Sequence, residues 1–311
     1  MKHETKKSNQ TSATGKRPHP RPSGSVTNDA LPPLRDVIAQ YELAAKKSLG
    51  QNFILDLNLT RRIARCCGPL EGRIVVEIGP GPGGLTRALL SEGAEAVIAV
   101  ERDQRCLPAL KTIALHWPNK LHVTLGDAVK TNWPELLAPH LRATSQKPII
   151  AANLPYGVAT KLLIGWLEVD QWPPWYDAMV LMFQKEVADR IVARPGSKSY
   201  GRLSVLTQWR CEANIALNLP PQAFVPPPKV SSAVVVLKPR QDPLPAPSAA
   251  AISRVTAAVF GQRRKMLRSS LRQITNSPEI ALAKANINPE WRGEHVDVDG
   301  FVRLTNALDN D

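Results

Sequence analysis

The residues of this chain with the most legible chemistry are Asn153-Leu154-Pro155-Tyr156, which directly follow the apolar run 149–152. A short apolar run that ends in a polar residue and a proline reads as a buried parallel strand delivering its last side chains to the rim of a sheet, where α/β folds bind ligands. An amide oxygen and the next backbone carbonyl can both accept hydrogen bonds from one NH2 group; Pro155 fixes the turn, and Tyr156 offers a flat face to a base. Such a site suits the exocyclic amine of adenine. Taken alone, the tetrapeptide is better read as a strand end with a turn-forming Asn and a core tyrosine. The rest of the sheet reverses that balance.

Residues 79–84, Gly-Pro-Gly-Pro-Gly-Gly, satisfy G-x-G-x-x-G between a strand and a helix, and Glu101 closes the next strand. Glycines let the backbone approach a ligand, and a carboxylate at that place can accept from both ribose hydroxyls. The pattern indicates an adenosine-containing cofactor, NAD or S-adenosylmethionine. Three features favour the sulfonium. Glu77 sits two residues before Gly79, where a positively charged amino-acid moiety needs a nearby negative charge. Asp127, after the third strand, is set to accept from an adenine amino group, although alone it reads better as a turn or helix cap. Finally, a dehydrogenase has no evident use for a carbonyl pair that grips an NH2.

The elements that must position these residues follow from periodicity. Apolar runs predict strands at 74–78, 96–100, 121–125, 149–152 and 178–183, with later ones at 215–219 and 232–237. Helical patterns fall at 34–45, 57–67, 85–91, 106–116, 159–167, 185–192 and 202–209. The alternation is that of βαβ units and a parallel sheet. The proline-rich stretch 238–250 reads as a linker, after which periodicity at 252–271, 278–285 and 298–308 predicts a small all-helical domain. The expected division is a disordered basic extension over 1–45, a cofactor-binding domain over 46–240 and a helical RNA-binding domain over 250–311.

Composition narrows the partners. Forty basic against 27 acidic residues give a net charge of +13, which favours a polyanion such as nucleic acid over a small neutral substrate. Six of the cations fall in residues 1–22 against the single acid Glu4, and six more in 252–272 with no acid. The four cysteines and six histidines lack metal-ligand spacing, so no metal is expected. No run approaches the ~18 apolar residues of a membrane span, nor is there an apolar secretory signal. A cytoplasmic protein without a membrane partner is expected.

The segments KKSLGQNFILD, VVEIGPGPGGLT, GDA, NLPY, LMFQKEVADR, SKSYGRLSV, AFVPPPKVSSAVV and FGQRRKMLRSSL occur in order between Lys46 and Asn306. With Glu101 among them, the chain resembles the ribosomal RNA adenine dimethyltransferase family, specifically its bacterial small-subunit branch. The resemblance implies a Rossmann-like class I methyltransferase sheet with a C-terminal helical domain. It also implies S-adenosyl-L-methionine as cofactor and dimethylation of adenine N6 on two adjacent adenosines of a 3'-terminal hairpin of 16S RNA, within the 30S subunit or its precursor. A monomer is expected. By the same resemblance Asn52, Ile54, Gly79, Glu101, Asp127 and Asn153 line the cofactor site, to which the glycine pattern adds Gly81. Ile54 stands where the family usually has Leu, and an extension of roughly 45 residues exceeds the family's short arm.

The catalytic expectation rests on Asn153, Leu154, Tyr156 and Phe224. The Asn153 oxygen and Leu154 carbonyl would hold N6-H2 while the flipped base is clamped between Tyr156 and, by analogy, Phe224. Phe224 reads equally well as a core anchor for Pro226-Pro227-Pro228. RNA contacts are expected from Lys46, Lys47, Lys198 and Arg202, and from a helix bearing Arg263, Arg264, Lys265 and Arg268, with Phe260, Met266 and Leu267 facing the core. Trp172 and Trp175 read as loop packing. Competing readings are a large-subunit RNA adenine methyltransferase, a DNA adenine methyltransferase, disfavoured because Asn153 stands where that class has an acid, and a non-catalytic assembly or transcription factor.

Overall fold

The computed structural model describes residues 29–46, 49–141, 146–169 and 171–309. Among them, β1 (Ile74–Ile78), β2 (Ala96–Glu101), β3 (Leu121–Leu125), β4 (Ile149–Ala152), β5 (Ala178–Gln184), β6 (Cys211–Leu219) and β7 (Ser232–Pro239) form one sheet in the order β3-β2-β1-β4-β5-β7-β6. The first five strands run parallel, while β7 lies antiparallel to both β5 and β6. Strands β1, β2 and β4 are buried at every residue, as continuous apolar runs covered on both faces must be. The edge strand β6 instead alternates.

Helices cover both faces, which the two-residue period of the strands keeps distinct. Val75, Val97 and Ile149 pack with Ile63 of α2 (Leu57–Arg65), Leu89 of α3 (Gly84–Ser91) and Leu110 of α4 (Leu107–His116). Val76, Ile98 and Ile150 pack with Leu137 of α5 (Trp133–Leu141), Leu163 of α6 (Tyr156–Leu167) and Ala188 of α7 (Lys185–Ile191). Helix α5 is absent from the sequence expectation, and Pro139 inside it argues against a helix. Burial of Trp133 and Leu137, one turn apart, decides for the helix. No helix of the described residues is long and apolar enough to cross a membrane.

Two expectations are corrected. The segment assigned to a disordered extension through residue 45 is built into the fold from Asp29 onward. Leu31, Leu34 and Leu43 are buried, and Leu34 begins α1 (Leu34–Gln40). The Arg87 guanidinium of α3 holds Asp29 through two 2.6 Å contacts and the Pro32 carbonyl at 2.7 Å. Residues 1–28 and Lys47 lie outside the described residues.

The second correction concerns 252–271, which is two helices rather than one. Helix α9 (Ala249–Gly261) stops at a glycine, and Gln262 leaves helical geometry at φ −121° and ψ 52°. A turn closed by the Lys265 amide on the Gln262 carbonyl precedes α10 (Leu267–Ser270). Arg263, Arg264 and Lys265 therefore stand on a turn, and Met266 is exposed rather than core-facing. Leu267 is fully buried, as expected. The core containing Leu267 also takes in Phe301 of the last helix and Tyr200, Val205 and Trp209 from α8 (Arg202–Arg210) and the residues before it. The C-terminal helices thus share a core with residues that precede the proline-rich stretch.

Candidate active site

Strand order reverses between β1 and β4, and register aligns their carboxyl ends: Ile78 lies opposite both Val100 and Ala152. Gly79 and Asn153, just past β1 and β4, and Glu101, the last residue of β2, therefore meet at the place where an open α/β sheet forms a crevice. One cleft of ≈ 220 Å³ occupies it. All of the expected cofactor and catalytic residues line this cleft: Asn52, Ile54, Gly79, Gly81, Glu101, Asp127, Asn153, Leu154, Tyr156 and Phe224.

The glycine loop has two distinct jobs. Gly79 has φ +65°, and a Cβ there would meet nothing within 4 Å, so the backbone faces open space. At Gly81, φ is +56° and a Cβ would press 3.2 Å from the Phe53 ring. Its amide donates to Glu101 Oε2 at 2.8 Å. The Asp103 amide donates to Oε1 at 2.6 Å, so backbone N–H groups fix both carboxylate oxygens of Glu101.

Electrostatics concentrate at the same strand ends. Glu77 is 1% exposed, with Oε2 accepting from the Thr86 hydroxyl at 2.7 Å. Burial pushes its carboxyl up to about 8, with Glu101 adding in the same direction against the Thr86 hydrogen bond. Burial also raises Glu101, opposed by its backbone hydrogen bonds. Asp103 is held down at about 2, chiefly by the Arg105 guanidinium. The cleft thus contains two carboxyls whose ionisation a cationic ligand would favour.

Asn153 donates through Nδ2 to the Asn52 carbonyl at 3.3 Å, which turns its oxygen away as an acceptor. The Pro155 carbonyl takes the first helical amides, Val158 and Ala159, leaving the Leu154 carbonyl outside the helix ladder. Tyr156 opens α6, and its hydroxyl meets Ser232 Oγ at 2.6 Å. Phe224 is 2% exposed and Ile54 4%, so both are cleft walls that also belong to the core. Asp127 combines both sequence readings: it lines the cleft, and Oδ1 accepts from the Val129 amide at 3.0 Å as a turn cap does.

Residues in the cleft and behind its wall extend the expected set. Phe53 bridges to Val225 through paired backbone hydrogen bonds of 2.9 and 2.8 Å, fastening the 49–54 loop beside the AFV segment. Gln51 donates to Asp103 at 3.0 Å, tying the same loop to the end of β2. Asp103 has a readable signal, a second acid two residues past Glu101. Ser232 has none, because only folding brings it to Tyr156.

Among the described residues, the expected RNA-binding cations lie outside the cleft. Lys46, Lys198, Arg202, Arg263, Arg264, Lys265 and Arg268 are exposed. Arg202 donates to Ser253 at 2.7 Å, and Arg263 holds the Lys198 carbonyl at 2.7 Å and Glu294 at 3.2 Å. Trp172 and Trp175 pack as loop residues: Trp172 Nε1 donates to the Arg240 carbonyl, and Trp175 stacks on Trp133 at 5.7 Å. Among the described residues no group of three or more His, Cys, Asp or Glu could hold a metal ion.

Comparison with known proteins gives a consistent picture. The chain is 58% identical over 280 residues to ribosomal RNA small subunit methyltransferase A of Xanthobacter autotrophicus, covering 90% of this chain and 95% of the relative. Its identity to the protein of that name from Mesorhizobium japonicum is 56% over 280 residues, 90% of this chain and 99% of the relative. Its fold is similar to a dimethyladenosine transferase from Plasmodium falciparum, with TM-score 0.63 and 25% identity over 80% of this chain and 94% of that one. The 23S rRNA methyltransferase ErmE shares the fold, with TM-score 0.60 and 24% identity over 83% of this chain and all of that one. The sequence model of the ribosomal RNA adenine dimethylase family matches residues 42–310, and with these relatives it makes this chain a member of that family.

Proposed function

We propose that this chain dimethylates the N6 atom of adenine in small-subunit ribosomal RNA. The methyl donor is S-adenosyl-L-methionine, which supplies an electrophilic methyl on a positively charged sulfur. The observation that carries the reading is the meeting, in one cleft, of an amide oxygen and a carbonyl at Asn153 and Leu154 with the Gly79–Glu101 cradle. Gly79 leaves room for a ligand, Glu101 offers a carboxylate to ribose hydroxyls, and Glu77 lies where a cationic amino-acid moiety is favoured. Asn52, Ile54, Gly81 and Asp127 complete the wall.

Adenine N6 is a weak nucleophile because its lone pair is delocalised into the ring. Accepting both N6 hydrogens at Asn153 Oδ1 and the Leu154 carbonyl orients that lone pair and favours tetrahedral nitrogen as it develops. Tyr156, its hydroxyl held by Ser232, covers one face of the flipped base; Phe224 bounds the other from the wall. No general base is needed before transfer, because the alkylated nitrogen is acidic and loses its proton afterwards. Alignment of the two reactants supplies most of the rate.

The proposal includes 16S RNA within the 30S subunit or its precursor as partner, action as a monomer, and a cytoplasmic site of action. Purified chain is incubated with labelled S-adenosylmethionine and unmethylated 30S particles, and nuclease digests are read by mass spectrometry. Label in N6,N6-dimethyladenosine of 16S RNA supports the reading. Label only in large-subunit RNA, or none in any adenine, overturns it.

A further inference from the structure

Of the seven tryptophans, six are buried or half-buried and Trp291 is 44% exposed. The His295 ring meets it edge-on at 6.4 Å. Its segment is stitched to the turn after α9: the Leu267 amide donates to the Trp291 carbonyl at 2.7 Å, and the Arg268 amide to the Pro289 carbonyl at 3.2 Å. That brings the 40%-exposed Met266 into the same patch. The Arg268 guanidinium joins the two strips, reaching the Met266 sulfur at 3.5 Å and the Glu290 carboxylate at 3.8 Å.

Cations surround these apolar groups. Arg264 and Lys265 precede Met266, Arg292 follows Trp291, and all three are exposed. Glu290 is the acid within the patch, and Arg268 answers it. An apolar protein partner would have to strip water from these charges, at a cost that the small apolar area does not offset. An unpaired nucleotide matches both halves of the surface, because a base has a π-face for the indole and its phosphates meet the cations. Duplex RNA offers no such free face.

We propose that Trp291, flanked by Met266, is a stacking platform for an unpaired RNA nucleotide whose neighbouring phosphates are met by Arg264, Lys265, Arg268 and Arg292. None of these residues lines the cleft, so the platform takes a nucleotide other than the adenine to be modified and anchors the RNA at a second point. The inference rests on the reading of the chain as an RNA methyltransferase and adds to it where the folded substrate is gripped.

The test uses the full chain, unmethylated 30S particles and deproteinised 16S RNA, with equilibrium binding measured across a salt series. Trp291→Ala should weaken binding to both RNAs about tenfold, Trp291→Phe should restore most of it, and the salt slope should be that of the wild type. Lys265→Ala should instead lower the slope by about one. Cofactor affinity by calorimetry, equal in all variants, shows that each is folded. Full binding by Trp291→Ala, or a loss accompanied by a lowered salt slope, overturns the platform. A loss on particles that is absent on deproteinised RNA assigns the patch to a ribosomal protein and overturns it equally. Failure of the wild type to methylate any RNA would instead overturn the functional reading, a separate result from wild-type binding by Trp291→Ala.

Discussion

The cleft and the basic turn after α9 are built on opposite principles. In the cleft, the central residues sit at the carboxyl ends of buried parallel strands, so sheet register fixes their place: Gly79, Glu101 and Asn153 follow from Ile78 pairing with Val100 and Ala152. On the turn, Arg263, Arg264, Lys265 and Met266 stand where a helix has stopped, and their directions depend on contacts with distant segments. Chemistry that requires sub-ångström placement sits on the rigid scaffold, and contacts to a flexible polyanion tolerate the turn. Substitutions can break this contrast.

The largest effect is expected beneath the glycine loop. The Arg87–Asp29 pair is almost fully buried, at 2% and 4% side-chain exposure, and bidentate. Removing one partner leaves a buried charge uncompensated, so Arg87→Ala or Asp29→Ala should cost about 3–5 kcal/mol of stability. Urea denaturation reads the loss. A change below 1 kcal/mol would show that the N-terminal strap is not part of the scaffold.

Asn153→Ala comes next and separates placement from folding. Loss of one preorganised group aimed at developing charge lowers turnover by about 10²–10³-fold. Stability should stay within about 1 kcal/mol of the wild type, because the bond of the amide to the Asn52 carbonyl is long, at 3.3 Å. Single-turnover label transfer and thermal unfolding measure the two; undiminished transfer removes the amide from the mechanism.

A third expectation is pH dependence. Glu77, with its carboxyl pushed up to about 8 by burial from an ordinary 4.5, carries a proton in the native state through the range where the unfolded chain has lost it. The native state therefore binds more protons than the unfolded state between those values, and this group's contribution to stability falls as pH rises through them, by up to about 1.4 kcal/mol per unit. A cationic ligand favours the ionised form, so cofactor affinity should rise with pH from 6 to 8 while a proton is released. Calorimetry in buffers of different ionisation enthalpy counts that proton. Glu77→Gln should abolish both the release and the pH slope, and a slope that survives would assign the linkage to another group.

The same contrast explains what could be read from the chain. Buried parallel strands are continuous apolar runs, so β1 and β4 fall at the expected residues and β2 and β5 extend by one; the edge strand β3, mostly half-buried or exposed, also falls where expected. The polar residues at these strand ends were legible because register converts strand ends into a site. Contacts made across the fold were not: Ser232 against Tyr156, Phe53 against Val225, and Trp291 against the turn have no local periodicity. Helix α5 hid behind the interior Pro139, and the break at Gly261 hid inside an apolar pattern that continues into Leu267 and Leu271 because tertiary burial, not helix period, spaces them.

The smallest expected effect divides the turn itself. Arg263 is tied to the Lys198 carbonyl and to Glu294, whose own carbonyl accepts from the Gly196 amide at 2.7 Å, so it clamps the loop before α8 onto the C-terminal segment. A cation so engaged has less freedom to meet a phosphate than Arg264 or Lys265, neighbours on the same exposed turn. Replacing Arg264 or Lys265 with Ala should lower the salt slope of RNA binding by about one each. Arg263→Ala should leave the slope nearly unchanged and speed amide exchange across residues 194–200, with a stability change of about 1 kcal/mol or less, as befits a partly exposed pair. Equal slope losses for all three would mean that the clamp opens on the RNA and that the turn acts as one cationic unit.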